Sequence, residues 1–261
     1  MAKDRTLLKV IDLSKHFGGL KAVDQVSFQL QQGEILGLLG PNGAGKTTCF
    51  NMISGIYRPT AGSILFHEKR TDGLTPHQMA LMGIGRTFQI VKPFSNMTVL
   101  ENIIVALGLK DYPSIISSSV RWNTKTNRSQ ALNILEQVSL TDLQNNKAGT
   151  LPLGNLRRLE IGRALALEPE LLLLDESFSG LRHEKISEME TLILSLVEKG
   201  ISVLLIEHNM KVAMNLCHRV VVLDHGRKLA EGEPDSISKD PQVIEAYLGK
   251  GGSSYYAASG Q

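Results

Sequence analysis

Ile35-Leu-Gly-Leu-Leu39 runs straight into Gly40-Pro41-Asn42-Gly43-Ala44-Gly45-Lys46-Thr47-Thr48, and the fold is decided at this junction. A short apolar run ending in glycines reads as a buried strand that feeds a helix. The stretch after it fits G-x-x-x-x-G-K-[ST] in the strand-before, helix-after setting that gives the pattern its meaning. Glycines allow successive backbone N–H groups to turn inward, and a helix N-terminus adds positive dipole. Together they cradle a β-phosphate. Lys46 is placed to reach the β- and γ-phosphates, and the Thr47 hydroxyl to ligate Mg²⁺. The bland alternative is a glycine-rich turn with a lysine in solvent.

Outward from the junction the pattern alternates. Leu7–Leu13 and Val26–Leu30 alternate apolar with polar and read as antiparallel strands. Ser63–Phe66 and Ile84–Gln89 read as further strands. Thr75-Pro76 supplies an N-cap and a first helical position for a helix over His77–Met82. From Pro93 to Gly149 apolar residues recur at helical spacing (Val99, Ile103, Ala106, then Leu132, Leu135, Val138), so a helical subdomain is expected. Its Ser/Thr/Asn-rich middle, Gly108–Gln130, reads as a loop and its flanks. A helix after Gly154 to about Leu167 is followed by strand Leu171–Asp175, a helix over Glu184–Val197, strand Ser202–Ile206 and a helix from Met210. Val220–Leu223 and Lys228–Ala230 flank the turn Asp224-His-Gly-Arg227. Strand–helix alternation of this kind predicts a parallel α/β core. The expected organisation is one domain over 1–248, with a helical subdomain at about 93–167 inserted in the α/β core. The Gly/Ser-rich stretch Gly249–Gln261 reads as a disordered tail.

The 261 residues, 42% hydrophobic and 21% charged, suit a single large domain of a globular protein. A net charge of +2 gives no electrostatic reason to invoke nucleic acid or an acidic membrane surface. No apolar run approaches the roughly 18 residues of a spanning helix. The N-terminal residues carry no signal-like apolar segment. Cys49 and Cys217 are the only cysteines, without metal spacing, and read as reduced core residues.

A second buried run, Leu171–Leu174, ends in Asp175-Glu176. A strand end of this type delivers Asp175 to Mg²⁺, and Glu176 is then placed to orient or deprotonate an attacking water. One exposed acid at a strand end is commonplace, but a pair after four leucines is less so. Val203–Ile206 followed by Glu207-His208 repeats the design, and puts His208 in reach of a γ-phosphate. Gln89 ends another strand-like segment, in reach of the metal or the water. Taken alone, His208 would pass for a surface histidine and Gln89 would be unremarkable.

In this order the residues resemble an ATP-binding cassette (ABC) ATPase from about Leu7 to Gly249. That resemblance implies a P-loop NTPase core with a parallel sheet, an N-terminal antiparallel β subdomain and an inserted helical subdomain. It implies ATP and Mg²⁺ as cofactors and ATP hydrolysis as the activity. It gives Phe17 the adenine-stacking role, with a plain core aromatic as the alternative. It makes Gln89 the glutamine linking nucleotide to membrane partner, and His208 the switch histidine. Leu151–Asn155 takes the signature position, and Ser179–Arg182 the loop after the Mg²⁺ strand. Lys15–Val23, Arg86–Gln89, Met97–Asn102, Ile206–His208 and Glu245–Gly249 look like the branched-chain amino-acid importer group, a look shared by urea and amide importers. Implied partners are membrane permease subunits, a second cassette and, indirectly, a solute-binding protein, with no nucleic acid. The implied location is the cytoplasmic face of the cell membrane, held peripherally. Val91, Phe94 and Met97 would then face the permease, although Phe94 also fits a helical core.

Several positions depart from the family pattern. Pro152 stands where the signature serine belongs, and proline has neither hydroxyl nor N–H. Asn155 replaces a glutamine, Arg182 an Asp or Asn, and Ser177 a proline. Because the phosphate loop, Glu176 and His208 look complete while the signature does not, a heterodimer is expected over a homodimer. The competing class is a soluble cassette protein acting on ribosomes or DNA. A single cassette without a long coiled coil argues against it.

Overall fold

A computed structural model describes residues 5–87, 91–111, 124–207 and 209–248. Along the chain come strands β1 (Thr6–Phe17), β2 (Leu20–Gln31) and β3 (Ile35–Leu39), helix α1 (Lys46–Ile53) and strands β4 (Ala61–Phe66) and β5 (Lys69–Arg70). Next are α2 (Pro76–Leu81), β6 (Ile84–Arg86), α3 (Val99–Asp111), α4 (Lys125–Gln137), α5 (Leu153–Leu165), β7 (Leu171–Asp175), α6 (His183–Glu198) and β8 (Ser202–Ile206). The last are α7 (Met210–Leu216), β9 (Arg219–Asp224), β10 (Arg227–Gly232), α8 (Pro234–Ile237) and α9 (Pro241–Leu248). Two compact units result. One holds the residues up to Leu74 and those from Leu204 onward, and the other holds Thr75–Val203.

In the first unit an antiparallel sheet has the order β2-β1-β4-β5. A second sheet runs β10-β9-β3 and then takes the end of β8. β3 and β9 are parallel, with Leu38 opposite Val221. Every residue of β3 is buried, so its apolar run is that of a strand covered on both faces. β1 and β2 are longer than their apolar cores suggest, because the flanking polar residues continue the ladder out to Phe17 and Leu20.

In the second unit β6 pairs parallel with β7, Gly85 opposite Leu172, and β8 starts beside β7. Here β6 ends at Arg86, short of the Ile84–Gln89 segment; Gln89 itself lies outside the described residues. The Thr75 hydroxyl and the Gln78 side chain form a reciprocal capping box at the start of α2, with Pro76 in the first turn. The same device opens α3. Glu101 N–H donates to Thr98 Oγ1 at 3.2 Å, and Thr98 N–H donates to a Glu101 carboxylate oxygen at 2.7 Å. The Gly108–Gln130 stretch, expected to hold a loop and its flanks, is described only at its flanks, and residues 112–123 lie outside the described residues. α3 runs on to Asp111 and α4 begins at Lys125, where the Thr124 side chain accepts from Asn127 N–H. α5 begins at Leu153, two residues before the expected start, with Pro152 as its N-cap. The expected tail, Gly249–Gln261, lies outside the described residues.

Candidate functional site

The phosphate loop lies wholly in the first unit. Gly40 has φ +144°, and a Cβ there would sit 2.1 Å from the Leu223 carbonyl oxygen. Gly45, with φ +99°, would place a Cβ 2.4 Å from the Ala22 carbonyl oxygen. Neither position admits a side chain, so both glycines of the motif are demanded by backbone as well as by ligand. The loop is tied to its surroundings: Gly226 N–H donates to Ala44 O at 3.1 Å, and Gly40 N–H donates to the Tyr247 hydroxyl oxygen at 2.6 Å. Cys49 N–H makes the α1 bond to Gly45 O at 2.9 Å, so the amides just before it open toward the loop.

Lys46 is buried, and its ammonium curls back on the loop, donating to Gly40 O at 2.7 Å and Pro41 O at 2.9 Å. An arriving phosphate offers that cation a charged partner in exchange for two neutral carbonyls. Pro41 and Thr48 are half-buried and Ala44 is packed inward, whereas Asn42, Gly43 and Thr47 face solvent. Cys49 is buried, and burial pushes its thiol up to about 12. Cys217 goes to about 12 for the same cause, first burial and then nearby carboxylates, so both are inert core thiols.

Phe17 is 45% exposed, which rules out the core-aromatic alternative. Its ring meets Tyr57 edge-on at 5.5 Å, and the Lys15 ammonium lies 5.2 Å from the ring centroid. Lys15 is held there by donating to Arg58 O at 2.8 Å. Tyr57 is a part of this aromatic cluster that no motif marks, and Lys15 belongs to the family-like stretch Lys15–Val23.

The acid pair lies in the second unit. β7 is buried along its length and ends at Asp175, whose carboxylate meets the Arg86 guanidinium at 3.3 Å. Burial pushes the Asp175 carboxyl above its ordinary range, partly offset by the Arg86 charge; burial likewise lowers Arg86. Thr87 stitches the two strands together. Its N–H donates to Leu173 O at 2.9 Å, and its hydroxyl oxygen accepts from Asp175 N–H at 3.3 Å. That hydroxyl also lies 3.4 Å from Ser177 Oγ. Ser177, unusual against the family pattern, thus has a structural reason, since proline has no hydroxyl to offer Thr87. Glu176 is buried with φ +50°, a left-handed conformation that costs a non-glycine residue about 1–2 kcal/mol. It opens a turn in which Ser179 N–H donates to Glu176 O at 3.1 Å.

Replacing Arg86 by Met should destabilise the protein by about 3 kcal/mol, because it leaves the buried Asp175 carboxylate without its cation. Urea denaturation of both proteins in EDTA measures this. A difference under about 1 kcal/mol would mean that the ion pair matters little.

At the signature position, Asn155 N–H and Leu156 N–H both donate to Pro152 O at 3.0 Å. Pro152 makes no side-chain cap, so the helix start survives while the hydroxyl does not. Leu153 is 42% exposed, and a Cβ on Gly180 would touch its Cδ2 at 3.0 Å. Arg182 is exposed and stands as N-cap of α6. Asn102 is fully buried and clamps the preceding segment: Phe94 N–H donates to its Oδ1 at 2.9 Å, and its Nδ2 donates to Phe94 O and Thr98 O. Phe94 itself is 44% exposed under the Arg163 guanidinium, 5.0 Å from the ring centroid, and so is not a core residue. His208, like Gln89, lies outside the described residues.

The glycine-walled phosphate loop, set between the buried strand β3 and helix α1, defines a P-loop nucleoside triphosphatase. Comparison with known proteins narrows the class. The ABC transporter family model matches residues 23–179, and a model of the branched-chain amino acid ATP-binding cassette transporter matches residues 227–253. The high-affinity branched-chain amino acid transport ATP-binding protein LivG of Escherichia coli (strain K12) is 42% identical over 250 residues, covering 94% of this chain and 98% of LivG. BraF of Pseudomonas aeruginosa, a protein of the same description, is 40% identical, covering 94% and 99%. A solved ADP conformation of an ATP-binding cassette of an ABC transporter superposes with a TM-score of 0.84 at 33% identity, covering 94% of this chain and 99% of that one. The chain belongs to the ATP-binding cassette family of ABC transporters, and it is an ATPase. Among the described residues no helix is long and apolar enough to cross a membrane.

Proposed function

We propose that this chain is the ATP-hydrolysing motor of an importer for branched-chain amino acids. It sits peripherally on the cytoplasmic face of the membrane against permease subunits, served by a solute-binding protein and paired with a second, non-identical cassette. One observation carries the reading: relatives named for high-affinity branched-chain amino acid transport match nearly end to end, at 40–42% identity. The matching C-terminal segment, residues 227–253, points the same way.

In this reading Phe17 stacks the adenine. The backbone from Gly40 through Pro41, Asn42, Gly43, Ala44 and Gly45, with Thr48 at the helix start, surrounds the phosphates, and Lys46 binds their oxygens. By side-chain chemistry Thr47, Asp175 and Gln89 would supply the oxygen ligands that Mg²⁺, a hard cation, takes. Among the described residues no cluster of three acids, histidines or cysteines forms a cage. A site completed by substrate phosphates needs none. Mg²⁺, when bound, offsets charge on the β- and γ-phosphate oxygens. Glu176 holds the attacking water and accepts its proton, and His208 donates a hydrogen bond to the γ-phosphate. Residues 93–167 form the helical subdomain inserted in the α/β core, and the stretch Ile90–Met97 at its start, with Val91, Phe94 and Met97, meets the permease.

Uptake of labelled leucine by cells lacking this chain tests the solute. Leucine uptake should fall to background and return with the chain, with urea uptake unaffected. Loss of urea or amide uptake alone would reassign the solute. A photo-crosslinker at the exposed Asn96 should capture a membrane protein's cytoplasmic loop. Capture of soluble partners only would remove the permease from the scheme.

A further inference from the structure

The first glycine of the phosphate loop is held on both sides. Its N–H donates to the Tyr247 hydroxyl at 2.6 Å, and its carbonyl accepts from the Lys46 ammonium at 2.7 Å. It has no freedom toward β9, because the Leu223 carbonyl oxygen occupies the place of a side chain. Tyr247 comes from α9, 207 residues further along the chain. That helix is anchored by the buried Val243, and at its start Gln242 N–H donates to Asp240 Oδ1 at 2.8 Å. The loop's other end is held by Gly226 N–H on Ala44 O. When a phosphate draws Lys46 away from the Gly40 and Pro41 carbonyls, the tyrosine remains as the contact on the loop's first residue.

We propose that Tyr247 is a positioning residue of the phosphate loop, and that through it the docking of α9 and the binding of nucleotide strengthen each other. The proposal rests on the reading of Gly40–Thr48 as the phosphate cradle. A neutral hydrogen bond that fixes one loop geometry shifts an equilibrium by roughly three- to tenfold when lost. Linkage requires reciprocity: if α9 favours the loop that binds nucleotide, nucleotide must tighten α9 by the same factor.

The variant Tyr247→Phe removes the acceptor and keeps the ring. In the full chain, titration with a fluorescent ADP analogue should show a Kd raised about three- to tenfold. The Gly40 amide proton resonance should move upfield, and the melting temperature should stay near the parental value. ADP should slow amide exchange across α9 in the parent and lose that effect in Tyr247→Phe. In ATPase assays the rise should fall on KM with kcat little changed. An unchanged Kd with an unmoved Gly40 resonance overturns the proposal, as does a variant that loses only thermal stability. Lys46→Ala, titrated in parallel, separates the two readings. If it binds ADP normally, the phosphate cradle is misassigned. If it loses ADP while Tyr247→Phe binds normally, only the tyrosine's role fails.

Discussion

Lys46→Ala should bind ATP at least about a hundredfold more weakly than the parent, and should not hydrolyse it at a measurable rate, while remaining folded. The size follows from the contacts. A hydrogen bond to a charged group contributes about 1.5–3 kcal/mol, and the lysine supplies two or more to the β- and γ-oxygens. Two such bonds correspond to a factor between about 10² and 10⁴. The fold should survive because the Lys46 ammonium donates to Gly40 O and Pro41 O at the mouth of the loop, two carbonyls that water can serve in its place. The loop is also held independently by Tyr247 and Gly226. Isothermal titration with ATP and steady-state phosphate release measure the effect, and circular dichroism checks the fold. An affinity and turnover equal to the parent's would remove Lys46 from the site.

The parts of the fold that were legible in the sequence are those where a single local rule governs. β3, β7 and β8 have the bounds that their apolar runs predict, because a strand buried on both faces has no polar alternation to blur its ends. α2 follows from Thr75-Pro76, since cap and first-turn proline are both local signals. The polar composition of Gly108–Gln130 marks a loop and its flanks but not where a flanking helix starts, because composition does not show a cap. The Thr124 hydroxyl, accepting from Asn127 N–H, starts α4 at Lys125, on the C-terminal flank of that stretch. The capping box at Thr98 and Glu101 was readable from the spacing, yet those residues entered only as part of a family look.

Other features lie beyond any linear reading. The motif placed Asp175 at a strand end, but the guanidinium facing it comes from Arg86, 89 residues earlier, and only the strand pairing brings them together. Tyr247 on Gly40 is a similar case, a contact between a loop near one end and a helix near the other. Phe17 and Phe94 each carried two readings, because an aromatic in a β segment or near a helix start fits core and surface alike. Their exposures decided both in favour of the surface. The left-handed backbone at Glu176 has no signature in its residue type.

Glu176→Gln should abolish turnover of the assembled transporter, whereas the equivalent change in the partner cassette should cost no more than about a few fold. The argument turns on which site each motif serves. In a head-to-tail pair of cassettes, each ATP lies between one chain's phosphate loop and the other chain's signature. This chain brings its own loop, with Lys46 poised beside Gly40 and Pro41, and a buried Glu176. Its ATP therefore needs an intact signature from across the seam. What it offers in return is Pro152 without a side-chain cap, then Leu153, 42% exposed. Helix α5 still starts, so backbone amides beyond Gly154 remain available to an anion, but the hydroxyl is gone. Each lost charge-assisted hydrogen bond costs about 1.5–3 kcal/mol, a factor of roughly ten to a hundred and fifty in stabilising the γ-phosphate. Two copies of this chain would carry that loss at both sites, whereas a paralogue with a serine-containing signature confines it to one. Glutamine keeps the shape of Glu176 and removes the base, so the variant should hold ATP in a closed pair without product. The test is phosphate release from the purified complex with each glutamate changed in turn, at saturating ATP and with loaded binding protein. Equal losses from the two changes, or brisk hydrolysis by a complex holding two copies of this chain, would overturn the asymmetry.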